Sequence, residues 1–173
     1  MAVKIILKHK QMKRTVRKKT FETNSSSTHT ISISRNFDST KYKFPKTLVF
    51  QGGEFGWEVE IYDDVDSRCR YLYTALCSIY EGNELEAKKK HIEEVLQKYG
   101  VVAAFAKFEY YDDGYIDHVS DTSELLNYVF ENENNLLNYL FGDTFIYTYN
   151  DNMDREDQPE IRGGDYEEIY KGN

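Results

Sequence analysis

The chain is poor in cysteine and in proline, with two of each. It has no unbroken apolar run longer than the six residues Val101 to Ala106, and no acid in its first 20 residues. Two cysteines cannot build the cross-linked scaffold of a small secreted domain or a four-cysteine zinc site. An apolar run that short cannot span a bilayer, and the basic N-terminus has no signal-peptide apolar core ahead of a cleavage site. A glycine-rich phosphate loop of the Walker or dinucleotide type is absent, as is a nucleophile elbow. What is present is a folded composition, 40% hydrophobic and 15% aromatic over 173 residues. That is one ordinary domain, able to bury roughly 70% of its unfolded surface without staples. These features predict a soluble cytoplasmic protein that needs no metal and no cofactor.

Charge is spread unevenly. The formal net charge is −8, but residues 1–20 carry eight cations (Lys4, Lys8, Lys10, Lys13, Arg14, Arg17, Lys18, Lys19). The other residues hold 14 cations against all 30 acids, and from residue 108 onward 17 acids face only Arg155, Arg162 and Lys171. A basic head sits on an acidic body. The head could meet phosphates or fold back on its own body.

Periodicity divides the body. Thr28 to Ser34 alternates, with His29, Ile31 and Ile33 on one face of a strand. Thr47 to Phe50 and Trp57 to Ile61 flank the turn signal Gln51-Gly52-Gly53-Glu54 and read as a hairpin. Asp66 is the expected cap of a helix with the apolar face Cys69, Leu72, Leu76, Ile79, Tyr80. Asn83 with Glu86 reads as a capping box for a second helix, with the face Leu85, Ile92, Val95, Leu96, Tyr99 and a stop at Gly100. Val101 to Tyr110 reads as a buried strand. Asp112-Asp113-Gly114 reads as a turn, and Tyr115 to Val119 as its hairpin partner. Asp121 with Glu124 opens a Leu-rich helical stretch running to Phe141, as one helix or two around the polar insert Glu131 to Asn135. Thr144 to Tyr149 is a final aromatic strand. The expected fold is α+β: one domain over 1–150, a mostly antiparallel sheet with two or three helices on one face. An acidic tail follows over 151–173, read as mobile, with Ile161, Tyr166, Ile169 and Tyr170 as handles that could dock it.

Cys69 and Cys77 fall eight residues apart on one predicted helix, which separates their Cα atoms by about 12 Å. A disulfide tolerates less than about 7 Å, so both are expected as free thiols.

The candidate site is Phe21 to Thr30, directly after the cations of Lys13 to Lys19. Hydroxyl side chains and exposed amides can cradle an anion while nearby Lys and Arg supply charge. The anion-binding set is therefore Lys13, Arg14, Arg17, Lys18, Lys19, Asn24, Ser25, Ser26, Ser27 and His29. The bland reading is a turn entering a strand, and His29, sharing a face with Ile31 and Ile33, reads as a packed histidine and not a catalytic base. No catalytic residue is assigned. The acids Asp112, Asp113, Asp117 and Asp121, with His118, read as a solvated turn, because their spacing fits no calcium loop. Asp63-Asp64-Val65-Asp66 reads the same way, and His91 as an exposed helical position.

The segment Phe21-Glu22-Thr23-Asn24-Ser25-Ser26-Ser27-Thr28-His29 after a basic run resembles the start of a group of small, uncharacterised bacteriophage-encoded proteins. Phe145 to Asn152 after a Leu-rich helix is similar to a second feature of that group. The resemblance covers about 20 residues and the general layout. It implies a phage or prophage source and an accessory role in infected cells, with no activity to transfer.

Two functions follow. The first is a non-enzymatic accessory interaction protein of phage type. Its acidic, Tyr-rich body would engage a basic host protein, nucleic-acid-binding proteins being among the candidates. The second is a nucleotide- or phosphoester-directed binding protein or enzyme using the basic and Asn-Ser-Ser-Ser-Thr-His segment. Contact with nucleic acid through residues 1–20 is expected to be weak and salt-dependent.

Overall fold

The computed structural model describes residues 27–34, 37–56, 60–117, 122–150 and 166–172. The fold is α+β. In chain order its elements are β1 (Ser27–Ser34), β2 (Thr47–Phe50), β3 (Glu60–Tyr62), α1 (Val65–Ile79), α2 (Gly82–Gln97), β4 (Val102–Phe105), α3 (Ser123–Glu131), α4 (Glu133–Phe141), β5 (Phe145–Asn150) and β6 (Tyr166–Gly172).

Four strands form an antiparallel sheet in the order β3-β5-β1-β6. The alternation in β1 does what its period dictates: His29, Ile31 and Ile33 are all buried. On β5, Thr148 stands opposite His29 and Ile146 opposite Ile31. Helices α1, α3 and α4 pack against this sheet or against one another. The core between them holds Ile31, Tyr71, Leu72, Leu76, Leu136, Leu140 and Ile146. Each fully buried aliphatic side chain there contributes about 2 kcal/mol. The last stretch of the acidic C-terminal segment is not separate from the body, since β6 hydrogen-bonds along β1 at the sheet edge.

A second sheet was not anticipated. Strands β2 and β4 pair in parallel, Thr47 beside Val102 and Phe50 beside Phe105, with α1 against β2 and α2 against β4. This corrects two expectations. Strands β2 and β3 do not form a hairpin, because β3 pairs with β5 in the other sheet; 57–59 of the expected strand lie outside the described residues. The chain between them is drawn onto α1: the Gly53 N–H donates to Thr74 Oγ1 at 3.0 Å, and Phe55 buries its ring against Tyr71 with centroids 5.0 Å apart. The strand read over Val101 to Tyr110 is only four residues long. Residues after Phe105 turn into a loop that returns as an isolated bridge from Ile116 to Phe55; of the hairpin partner read over Tyr115 to Val119, 118–119 lie outside the described residues.

Helix ends shift in the same way. Asp64, not Asp66, caps α1, its carboxylate accepting from the Ser67 N–H at 2.8 Å. The helix begins at Val65, so Asp66 sits in the first turn, where a negative charge still suits the helix dipole. Asn83 lies inside α2, which starts at Gly82 without a side-chain cap. Gly82, at φ +53, makes the turn between α1 and α2 that a side chain would strain. The Leu-rich stretch is two helices. Asn132 adopts an extended backbone that ends α3, and its side chain caps α4 by accepting from the Asn135 N–H at 2.9 Å. The expected cap Asp121 lies outside the described residues.

Candidate functional site

Of the sequence-derived anion-binding set, Lys13, Arg14, Arg17, Lys18, Lys19, Asn24, Ser25 and Ser26 lie outside the described residues. Ser27 opens β1 opposite Asn150. His29 is completely buried. Its Nδ1 is 3.2 Å from the Tyr71 hydroxyl on α1. Its Nε2 faces Gly56 and the backbone of Asp117 without reaching hydrogen-bond geometry. Burial pushes the imidazole down to about 4, against a weaker opposing pull from the Asp117 backbone. A neutral ring sealed from solvent cannot meet a substrate hydroxyl, so His29 is a packed histidine.

The loop that ends beside this ring at Asp117 carries the most distinctive surface. Residues Glu109 to Asp117 form a loop around the turn Asp112-Asp113-Gly114. The Asp113 carboxylate accepts from the Glu109 N–H at 2.9 Å, and the amides of Asp112 and Asp113 donate to the Glu109 carbonyl. Asp112 and Asp113 are thus members of an exposed turn, as expected; His118 and Asp121 lie outside the described residues. Gly114, at φ +153, lets the loop press against the backbone of Gly53, where a Cβ would stand 2.6 Å from the Gly53 carbonyl oxygen.

At the tip, Tyr111 is 78% exposed and holds φ +76. A bulky residue in left-handed backbone is strained, and here no burial of the ring offsets the strain. Tyr110 packs edge-on against Tyr111 at 4.5 Å, and Tyr115 stacks at 6.4 Å. Three tyrosines and the carboxylates of Asp112 and Asp113 share one small surface. Lys107, paired with Glu109 at 2.7 Å, flanks it.

Other chemistry-bearing groups are structural. Burial raises the Cys69 thiol to about 12 and Cys77 to about 11. Both are free thiols on α1, and neither is a ready nucleophile. His91 is not the exposed position expected of it, because its ring lies half-buried 5.5 Å from Phe130. Arg68, which the sequence reading passed over, is buried with its guanidinium on backbone carbonyls. Its place on the apolar face of α1, four residues before Leu72, was the available signal. A shallow depression of about 200 Å³ beside β4, lined by Glu93, Gln97, Val101, Val102 and Ala103, brings no nucleophile together with a base. Among the described residues no three His, Cys, Asp or Glu side chains are grouped to hold a metal ion, and no helix is long and apolar enough to cross a membrane. No protein-family model matches the chain, no curated protein matches it in sequence, and no solved structure matches it.

Proposed function

We propose that the chain is a non-enzymatic interaction protein that engages a basic partner protein through its acidic, tyrosine-bearing surface, in the setting of a phage accessory factor. The observation that carries this reading is Tyr111, an aromatic side chain held out in solvent on strained backbone beside Asp112 and Asp113. Exposed tyrosines supply rigid contact area at low entropic cost. Their faces attract guanidinium and ammonium groups, and the adjacent carboxylates select for positive charge. The phage setting rests on the resemblance carried by Phe21 to His29. The alternative, a phosphoester-directed protein, would have to draw its chemistry from Lys13 to Ser27 alone, because His29 is sealed.

The test is Tyr111→Gly, read by titration of a labelled arginine-rich peptide. Glycine relieves the left-handed strain, so the melting temperature should hold or rise slightly, while affinity falls at least roughly tenfold. Unchanged affinity in this variant would remove the loop from the binding surface. Peptide binding that outlasts about 0.5 M salt would show that charge does not drive it.

A further inference from the structure

The tyrosine loop is seated on a buried titratable group. His29 projects from β1 against three different elements. Tyr71 of α1 meets Nδ1. The turn at Gly56 lies so close to Nε2 that a Cβ there would stand 2.7 Å away, and 3.0 Å from the Asp117 Cβ at the loop's end. The turn and the loop are tied to each other by the Phe55 N–H donating to the Tyr115 carbonyl at 3.0 Å and the Asp117 N–H donating to the Phe55 carbonyl at 2.8 Å. The lid over Nε2 is therefore one unit, residues 53–56 plus the end of the loop.

We propose that His29 is an acid-sensitive anchor of the Glu109–Asp117 loop: the neutral ring seats the loop, and a proton taken up by the ring unseats it, so that display of the tyrosine surface depends on pH. The coupling to a partner rests on the function proposed above; the seating does not.

The argument is one of donor counting. A neutral imidazole has one N–H and one lone pair. With the Tyr71 hydroxyl donating to Nδ1, the proton is assigned to Nε2. Acid adds a second proton at Nδ1. The ring is then a cation with two donors: Tyr71 must turn to accept at Nδ1, and Nε2–H meets only the Asp117 backbone, outside good hydrogen-bond geometry. A buried cation in that state is strongly unfavourable. Burial already holds the ring far below an ordinary histidine. Water can reach the ring by displacing either α1, which buries Tyr71, Leu72, Tyr73 and Leu76 in the core, or the lid, whose core side chains are Phe55 and Ile116. The lid is the weaker side.

Tyr71 and Asp117 stand at the ring, and the ionisable groups on the elements that carry or adjoin them are distributed as follows. Tyr71 and Arg70 belong to α1, Glu54 to the turn, Glu60 and Tyr62 to β3, and Glu109, Asp112, Asp113 and Asp117, with the three tyrosines, to the loop. Thr148 of β5 and Gly172 of β6, the residues opposite His29, do not titrate. The carboxylates also take up protons in acid, so the test must isolate the histidine.

Hydrogen exchange of the full chain, corrected for intrinsic rate, is measured between pH 7 and 4.5 alongside the NMR titration of the His29 ring. If opening gives the ring an ordinary histidine affinity, loop protection should fall roughly 20-fold between pH 7 and 5. α1 and α4 should stay protected, and loop protection should begin to fall near pH 6.5, the ordinary histidine value, while the ring of the closed protein titrates lower. In His29→Gln the step should vanish. Flat loop protection while His29 titrates would overturn the proposal, as would a step that persists in His29→Gln or a loss shared with α1 and α4. If His29→Gln fails to fold, the wild-type profile decides, and a fall in loop protection confined below about pH 5, where carboxylates titrate, overturns it. Arginine-rich peptide should bind at pH 7 and weaken with the loop step, and binding indifferent to an open loop would overturn the coupling. No peptide binding even at pH 7 would sink the function proposed above and leave the exchange result standing.

Discussion

Arg68 and His29 are both buried basic side chains at a contact between α1 and its surroundings, yet one keeps its charge and the other surrenders it. The Arg68 guanidinium is wrapped in carbonyl oxygens. Nε donates to Asp64 at 3.1 Å, Nη2 to Asp63 at 2.9 Å, and Nη1 to Gly142 at 2.6 Å and Tyr139 at 3.4 Å. Tyr139 lies in the last turn of α4 and Gly142 caps it, so the cation sits at the negative end of a helix dipole. Tyr139 returns a bond from its hydroxyl to the Arg68 carbonyl at 3.0 Å. Burial lowers the Arg68 pKa, but a guanidinium stays protonated. His29 has one hydroxyl partner and an unmatched nitrogen. The difference teaches that burial alone does not decide ionisation. The intrinsic proton affinity of each base does, and backbone carbonyls then match the guanidinium's donors without a carboxylate.

The largest effect that could break this comparison is removal of the arginine. Arg68→Met keeps bulk but leaves the carbonyls of Asp63 and Gly142 without their donor, and should cost about 3–5 kcal/mol in urea denaturation. Arg68→Lys should recover only part, since a point charge cannot reach a fork of four acceptors. A loss under about 1 kcal/mol would mean that the arginine is not the clamp.

The pH dependence of overall stability separates the two residues next. The folded-state pKa of His29 lies near 4, below the roughly 6.5 of an unfolded chain. The unfolded state therefore binds the proton first. Stability contributed by the neutral ring is complete above about pH 6.5 and is lost as pH falls toward 4, below which no more is lost. The ceiling on that loss is about 3 kcal/mol, capped by the cost of unseating the loop. Arg68 contributes no slope in this window. Thermal melts from pH 7.5 to 4 should show the slope in the wild type and a shallower one in His29→Gln; equal slopes would assign the acid sensitivity to carboxylates.

The smallest effect concerns the N-terminus of α1, whose first residues also present the Asp64 carbonyl to Arg68. Asp64→Ala should cost about 1 kcal/mol by removing the cap, and Asp66→Ala only a few tenths, through the helix dipole. The reverse order in chemical denaturation would restore Asp66 as the cap.

Much of the local structure was legible. The three-and-four spacing of Cys69, Leu72 and Leu76 and that of Ile92, Val95 and Leu96 mark the buried faces of α1 and α2, because a helix repeats every 3.6 residues whatever it packs against. Gly100 as the stop of α2 was legible for a similar reason, its φ of +73 suiting glycine. The burial of His29 followed from its sharing a strand face with Ile31 and Ile33. Caps were misplaced by two residues at Asp66, since several acids compete for one position and only the hydrogen bond to Ser67 selects among them.

Partners across the chain were not legible. Residues 47–50 look like half of a hairpin locally, and their pairing with Val102–Phe105 is settled by the burial of Leu48 and Phe50 against α1. That a ring in the face His29-Ile31-Ile33 is covered by Gly56 and Asp117 depends on a loop more than 80 residues away in sequence. Arg68 finds its acceptors 71 and 74 residues on. The sequence by itself determined where the chain can coil, where it can extend and which face of each element turns inward, because those follow from backbone period and side-chain polarity. The tertiary structure alone decided which strands pair, which acceptors close around a buried cation and which tyrosine is held in solvent, because each depends on which groups from distant segments arrive within a few ångströms.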